Sequence, residues 1–175
     1  DNIIIHTRYG KLTRDGITQY SVQCLEDLHT PTHARQFWRY SASGKVSKCM
    51  ACGFGTQGGL VFGETGGAGI FTNITGTATF NLNTKFYSFT YAAIQIICNS
   101  GTFPYYWNGT GDIAPLPGTV PAKASFGGVF KRYTLLSGNP LAPDRVYHST
   151  NPDDPGSDHV YYLDIDGGNQ DPGGN

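Results

Sequence analysis

The residues of this chain best able to do chemistry are four cysteines, five histidines and a run of aspartates near the C-terminus. Cys24, Cys49, Cys52 and Cys98 allow three pairings into two disulfides. The close pair Cys49 and Cys52 also has the spacing of a redox motif, but such a site needs a helix N-terminus to stabilise the thiolate. Here Gly53, Gly55, Gly58 and Gly59 follow, and glycines at that density do not extend a helix. A zinc ribbon needs a second close pair, and haem attachment needs His where Gly53 stands. Two structural disulfides, and hence an oxidising compartment, are the expectation.

His29 and His33 are four residues apart, the spacing of helical metal ligands, but Pro31 lies between them and no Glu stands where a metalloprotease base belongs. His148 and His159 flank an acidic loop and could share a metal with Asp158. Ser125 lies outside any Gly-x-Ser-x-Gly elbow, and Glu26 and Glu64 are the only glutamates, too few and too far from the aspartates for a paired-carboxylate glycosidase. The motifs weigh against an enzyme.

Three further features suggest binding or modification. Asp164, Asp166, Asn169 and Asp171 place oxygen ligands around Gly167 and Gly168, as a calcium loop does, although no Glu closes the loop as in an EF-hand. Calcium is the cofactor this tail would take. Asn73-Ile74-Thr75 and Asn108-Gly109-Thr110 are acceptor triplets for N-glycosylation at Asn73 and Asn108. Tyr105, Tyr106 and Trp107 read as a loop whose rings would stack on a sugar or anchor a protein partner if exposed together.

The elements that must position these groups read as strands. Asp, Glu, Lys and Arg make up 14% of the chain, against about 25% in an ordinary globular protein. Meanwhile 24 glycines, 11 Tyr and 10 Phe favour turns and pleated surfaces over helices. Asp15-Gly16 marks a hairpin between 3–12 and 17–24. Phe86 to Cys98, Phe126 to Leu136 and Val160 to Ile165 read as further strands. Thr30-Pro31 resembles an N-cap followed by a first-turn proline, so one short helix is expected near 31–40. The expected fold class is all-β, mainly an antiparallel sandwich or jelly roll, in one domain over 1–175 with an acidic Gly/Pro-rich tail from about 151.

A net charge of -1 supplies no field for nucleic acid, and no apolar run approaches the roughly 18 residues of a membrane span. The charge is polarised: Arg8, Lys11, Arg14, Arg35, Arg39, Lys45 and Lys48 lie in the first third, while no Lys or Arg follows Arg145. Opposite ends of opposite sign can meet within one fold or between copies. A chain opening at Asp1 fits export after loss of a leader. The expected function is a non-catalytic extracellular structural subunit of a surface fibre, filament or particle that assembles with copies of itself through its termini. The alternatives are a monomeric carbohydrate- or receptor-binding module of adhesin or lectin type, which would take glycans or a protein receptor through Tyr105, Tyr106 and Trp107, and a secreted hydrolase with an unrecognised site.

Overall fold

The computed structural model describes residue 25 and residues 30–41, 44–56, 58–66, 69–81, 84–154 and 157–164. The expected hairpin over 3–24 and most of the acidic tail lie outside them. Among the described residues there are twelve strands, no helix, and three antiparallel four-stranded sheets. Sheet A is β1 (Thr30–Ser41), β2 (Gly44–Phe54), β3 (Gly59–Glu64) and β4 (Phe71–Asn73) in that order. Sheet B is β5 (Phe86–Tyr91), β6 (Ile94–Asn99), β7 (Tyr105–Trp107) and β8 (Ala114–Pro115). Sheet C runs β12 (His159–Asp164), β11 (Ala142–Ser149), β10 (Tyr133–Asn139) and β9 (Phe126–Phe130).

The alternation of side chains across each strand assigns the layers. On β2, Met50 and Cys52 join Phe37, Val61, Phe86, Ile97 and Trp107 in one cluster, which lies between sheets A and B. On β6, Ile96 and Cys98 point the other way and join Phe89, Tyr91, Leu116 and Leu136 between sheets B and C. Sheet B is therefore the middle layer, covered on both faces. That is why Ile94, Ile96, Ile97 and Cys98 are apolar on both faces of the strand, with Gln95 the one polar residue among them, buried and hydrogen-bonded. Cys49 and Ala51 face outward from sheet A, where Leu25, Phe62 and Phe71 pack with them.

The helix expected near 31–40 is instead the long edge strand β1. Its pairing with β2 runs from Thr30 opposite Phe54 to Ser41 opposite Gly44, with one irregularity between Pro31 and His33. Burial follows the period of two: Phe37 is buried between exposed Gln36 and Trp38. Proline is tolerated at the start of an edge strand, so the Thr30-Pro31 signal fits either element, and the pairing with β2 outweighs the modest helix propensity of Ala34-Arg35-Gln36.

Two hairpins turn on residues that carry no turn signature. Ala92-Ala93 joins β5 to β6, with Ala92 at φ 50. Lys131-Arg132 joins β9 to β10, with φ of 46 and 73, the left-handed pair that a two-residue hairpin of the I′ type requires. Each turn divides a stretch that the sequence presents as one strand.

Candidate functional site

Strand geometry decides what the cysteines can do. Cys49 and Cys52 lie three apart on a strand with regular pairing from Cys52 to Cys49, so they project from opposite faces of sheet A. They form neither a Cys-x-x-Cys bridge nor a chelating pair. Cys98 faces sheet C from the far side of sheet B, away from Cys52. No two of these three can bridge each other, so the expectation of two disulfides is corrected to one bridge at most. Cys24 lies outside the described residues; its neighbour Leu25 packs in the same cluster as Cys49. Cys52 and Cys98 carry buried free thiols, and burial pushes the Cys98 thiol up to about 12 and the Cys52 thiol higher still.

The aromatic loop is strand β7. Trp107 is fully buried, edge-on to Phe37 at 5.6 Å between centroids, and donates its indole N–H to the Gly111 carbonyl. Tyr105 packs into the A/B core and Tyr106 into the B/C core, both half-buried. The three rings share no exposed platform of the kind that stacking on a sugar needs.

Among the described residues no group of three or more His, Cys, Asp or Glu is placed to hold a metal. Asp164 ends β12, while Asp166, Asn169 and Asp171 lie outside the described residues, as does His29. His148 and His159 project from opposite faces of sheet C, since His148 pairs with Val160 and Ser149 with His159. The two therefore do not converge on one ion. Asp158 is engaged elsewhere: its carboxylate accepts the Thr119 N–H at 2.7 Å, which holds its pKa low.

Both glycosylation triplets are folded as Asx turns on the surface. Asn73 Oδ1 accepts the Thr75 N–H at 2.9 Å, and Asn108 Oδ1 accepts both the N–H and the hydroxyl of Thr110, at 3.0 and 2.8 Å. Both asparagines are exposed. Asn73 borders an open groove of about 560 Å³, also lined by Leu60, Thr79 and Asp112.

One nucleophile-and-base geometry escaped the sequence reading. His33 on β1 and Ser88 on β5 meet with Nε2 and Oγ 2.6 Å apart. Gln95 donates to the same Oγ at 2.7 Å, Thr90 donates to Gln95 Oε1 at 2.9 Å, and Arg35 donates to the Ser88 carbonyl at 3.2 Å. Ser88 Oγ accepts from Gln95 and shares a hydrogen bond with His33, whose pKa is lowered by burial and then by Arg35. Yet Ser88 is 0% exposed, so a substrate does not reach its hydroxyl. The cluster ties sheet A to sheet B. Nothing in sequence spacing flags a pair 55 residues apart.

A second histidine does the same for sheet C. His159 Nδ1–H donates to the Ser157 carbonyl at 3.1 Å and Nε2 accepts from the Thr134 hydroxyl at 2.7 Å. Its backbone N–H reaches the Thr119 carbonyl at 2.7 Å.

The surface that remains is the outer face of sheet C. Pairing places Phe130 beside Tyr133, Gly128 beside Leu135 beside His148 beside Val160, and Phe126 beside Ser137 beside Val146. The opposite face of the same strands carries Leu136, Tyr147, Thr134 and His159, turned to the core. Phe126 is 51%, Phe130 59% and Val160 46% exposed. Tyr133, Leu135, Val146 and His148 are half-buried between them. Phe126, Phe130 and Val160 thus lie exposed on one face of sheet C, with Gly128, Ser137 and His148 among the residues between them.

Comparison with known proteins found no matching family model, no matching curated protein and no matching solved structure.

Proposed function

We propose that this chain is a non-catalytic structural subunit that assembles with copies of itself at the surface of a cell or particle, as part of a fibre, filament or particle coat. The observation that carries this reading is the apolar outer face of sheet C, with Phe126, Phe130 and Val160 about half exposed on one side of four strands. Burying such a face returns roughly 25 cal/mol for each Å² removed from water, a drive toward association that a monomer leaves unused. The groups with catalytic chemistry are spent on structural bonds, Ser88 with His33 between sheets A and B and Thr134 with His159 within sheet C.

The extracellular part of the reading is supported by exposed Asn73 and Asn108 in Asx turns that present their side-chain amides to solvent. Calcium on Asp164, Asp166, Asn169 and Asp171, and contact between charged termini of neighbouring copies, belong to the same proposal. Sedimentation velocity and negative-stain microscopy of the purified chain test it. Concentration-dependent oligomers or ordered polymers are expected, and a chain that stays monomeric at several hundred micromolar overturns it. A melting midpoint unmoved by a chelator removes calcium.

A further inference from the structure

We infer that Ser88 and Gln95 become joined by an ester bond that the folded chain makes for itself, with His33 as the base and the Thr90 hydroxyl as the donor that steadies the carbonyl oxygen. The inference does not depend on whether the chain assembles.

The strands bring the four groups together. Thr90 stands directly opposite Gln95 in the β5–β6 ladder, and Ser88, two residues away on the same face of β5, is the diagonal neighbour of Gln95. That face is turned to sheet A, since Ile97 opposite Ser88 and Trp107 opposite Gln95 both belong to the cluster between A and B. From sheet A, β1 brings His33 to the same point. Ser88 Oγ therefore has His33 Nε2 at 2.6 Å and the Gln95 carboxamide nitrogen at 2.7 Å, while the Thr90 hydroxyl donates to Gln95 Oε1 at 2.9 Å. A nucleophile, its base, a carbonyl to attack and a donor at the oxygen where negative charge develops are the parts of an acyl transfer. An external substrate does not reach Ser88, which is fully buried, but Gln95 is buried with it and is itself an acyl donor.

In the tautomer with Nε2 unprotonated, His33 takes the hydroxyl proton as Ser88 Oγ adds to Cδ of Gln95. The terminal torsion of a glutamine is soft, so the carboxamide can turn the face of its carbonyl toward Oγ. Negative charge gathers on Oε1, against the Thr90 hydroxyl. The Cδ–Nε2 bond then breaks, His33 gives the proton to the leaving nitrogen, and ammonia departs. One O–C bond forms, one C–N bond breaks, nothing is oxidised or reduced, and His33 ends as it began. Burial and Arg35 hold the His33 pKa low, so the neutral base is the form present at neutral pH.

A carboxamide is a weak electrophile, and placement compensates: groups held in contact react as at effective concentrations on the order of 10⁵ M or more. Ammonia lost to solvent is protonated there, which draws the step forward. Exclusion of water from two fully buried residues protects the ester from hydrolysis. The reaction runs once in each molecule and leaves a covalent tie between neighbouring strands of the middle sheet.

Intact-mass spectrometry of the full chain, incubated near neutral pH with circular dichroism confirming the fold, is the test. A mass lower than the sequence mass by one ammonia is expected. Chymotryptic cleavage after Phe89 and Tyr91 separates Ser88 from Gln95 in an unlinked chain, so the two peptides should be recovered joined. Mild base should release them with a glutamate at position 95. Ser88→Ala should keep the full sequence mass. Timed from refolding of freshly expressed, denatured chain, Thr90→Val should slow the loss about a hundredfold. His33→Gln should slow it by about a hundredfold or more. Where a variant does not fold, the mass and peptide map of the unaltered chain still decide. A folded unaltered chain that keeps its full sequence mass for days overturns the inference. Ammonia loss that maps instead to Asn108-Gly109, a pair able to close to a succinimide, also overturns it. A link formed at unchanged rate in folded His33→Gln overturns the role of His33 as base and leaves the bond standing.

Discussion

His33 Nε2 and Ser88 Oγ lie 2.6 Å apart across the contact between sheets A and B, and Gln95, itself held by Thr90, donates to the same Oγ at 2.7 Å. Ser88→Ala removes the hydroxyl that links His33 to Gln95 and leaves the Gln95 amide N–H buried without its acceptor. A loss of about 1–3 kcal/mol in unfolding free energy follows, read from urea denaturation. A loss under about 0.5 kcal/mol shows that the layers do not depend on this cluster.

Acid acts on the same cluster. His33 and His159 are both held below the ordinary value of 6.5, by burial first in each case; Arg35 adds to this for His33, whereas for His159 the Ser157 carbonyl and Asp158 push the other way. The unfolded chain takes up these protons near pH 6.5, before the folded chain does. Stability is thus fully present above pH 6.5 and is lost as pH falls from there through the two folded values. Urea midpoints should fall between pH 7 and pH 5. The fall should be shallower in His33→Gln and in His159→Gln, and equal slopes in all three proteins would exclude these histidines as its source.

The β5–β6 turn holds Ala92 at φ 50, where an L-residue pays a steric penalty of about 1–2 kcal/mol that glycine escapes. Glycine costs some of that back through its freer unfolded chain. Ala92→Gly should therefore stabilise by about 0.5–1 kcal/mol, a rise of a few degrees in Tm by calorimetry. A lower Tm would show that the left-handed turn is not the native one.

That same turn shows what was legible in the sequence. The all-β class was legible, because branched and aromatic residues between glycines have few other ways to pack, and so were β6 and the strand content of 86–98 and 126–136. The breaks within those stretches were not, since Ala92-Ala93 and Lys131-Arg132 lack the Gly or Asn that normally announces φ > 0. The helix near 31–40 failed because Thr30-Pro31 opens an edge strand as readily as a helix, and only the partner β2 decides between them. The expectation of two disulfides failed because Cys49, Cys52 and Cys98 face three separate clusters, which spacing along the sequence does not reveal. The apolar face of sheet C was invisible for a related reason: alternation in Val160 or Phe126 says that a strand has two sides, not which side meets water.

Gly63 on β3 marks where the A/B core is tightest. A Cβ there would lie 2.5 Å from Trp107 Cζ2 and 2.7 Å from Ile74 Cδ1, both parts of fully buried side chains. Neither can retreat without disturbing Phe37 or Val61 in the same cluster. Gly63→Ala should cost about 1–3 kcal/mol in urea unfolding, the range for overpacking. A neutral result would mean that the indole is free to shift.

Cys52 and Cys98 are both 0% exposed, in the two separate cores on either side of sheet B. The thiolate is the reactive species, and with Cys98 pushed up to about 12 and Cys52 beyond it, almost none forms at pH 8. A thiol reagent applied to the native chain at pH 8 should therefore label neither residue within minutes, while the same reagent in 6 M guanidinium labels both. Peptide mapping by mass spectrometry assigns the label to each position. Rapid native labelling of Cys98 would show that sheets B and C separate on that timescale, and recovery of Cys52 or Cys98 in a disulfide would contradict the three-layer arrangement from which the interaction face of sheet C was derived.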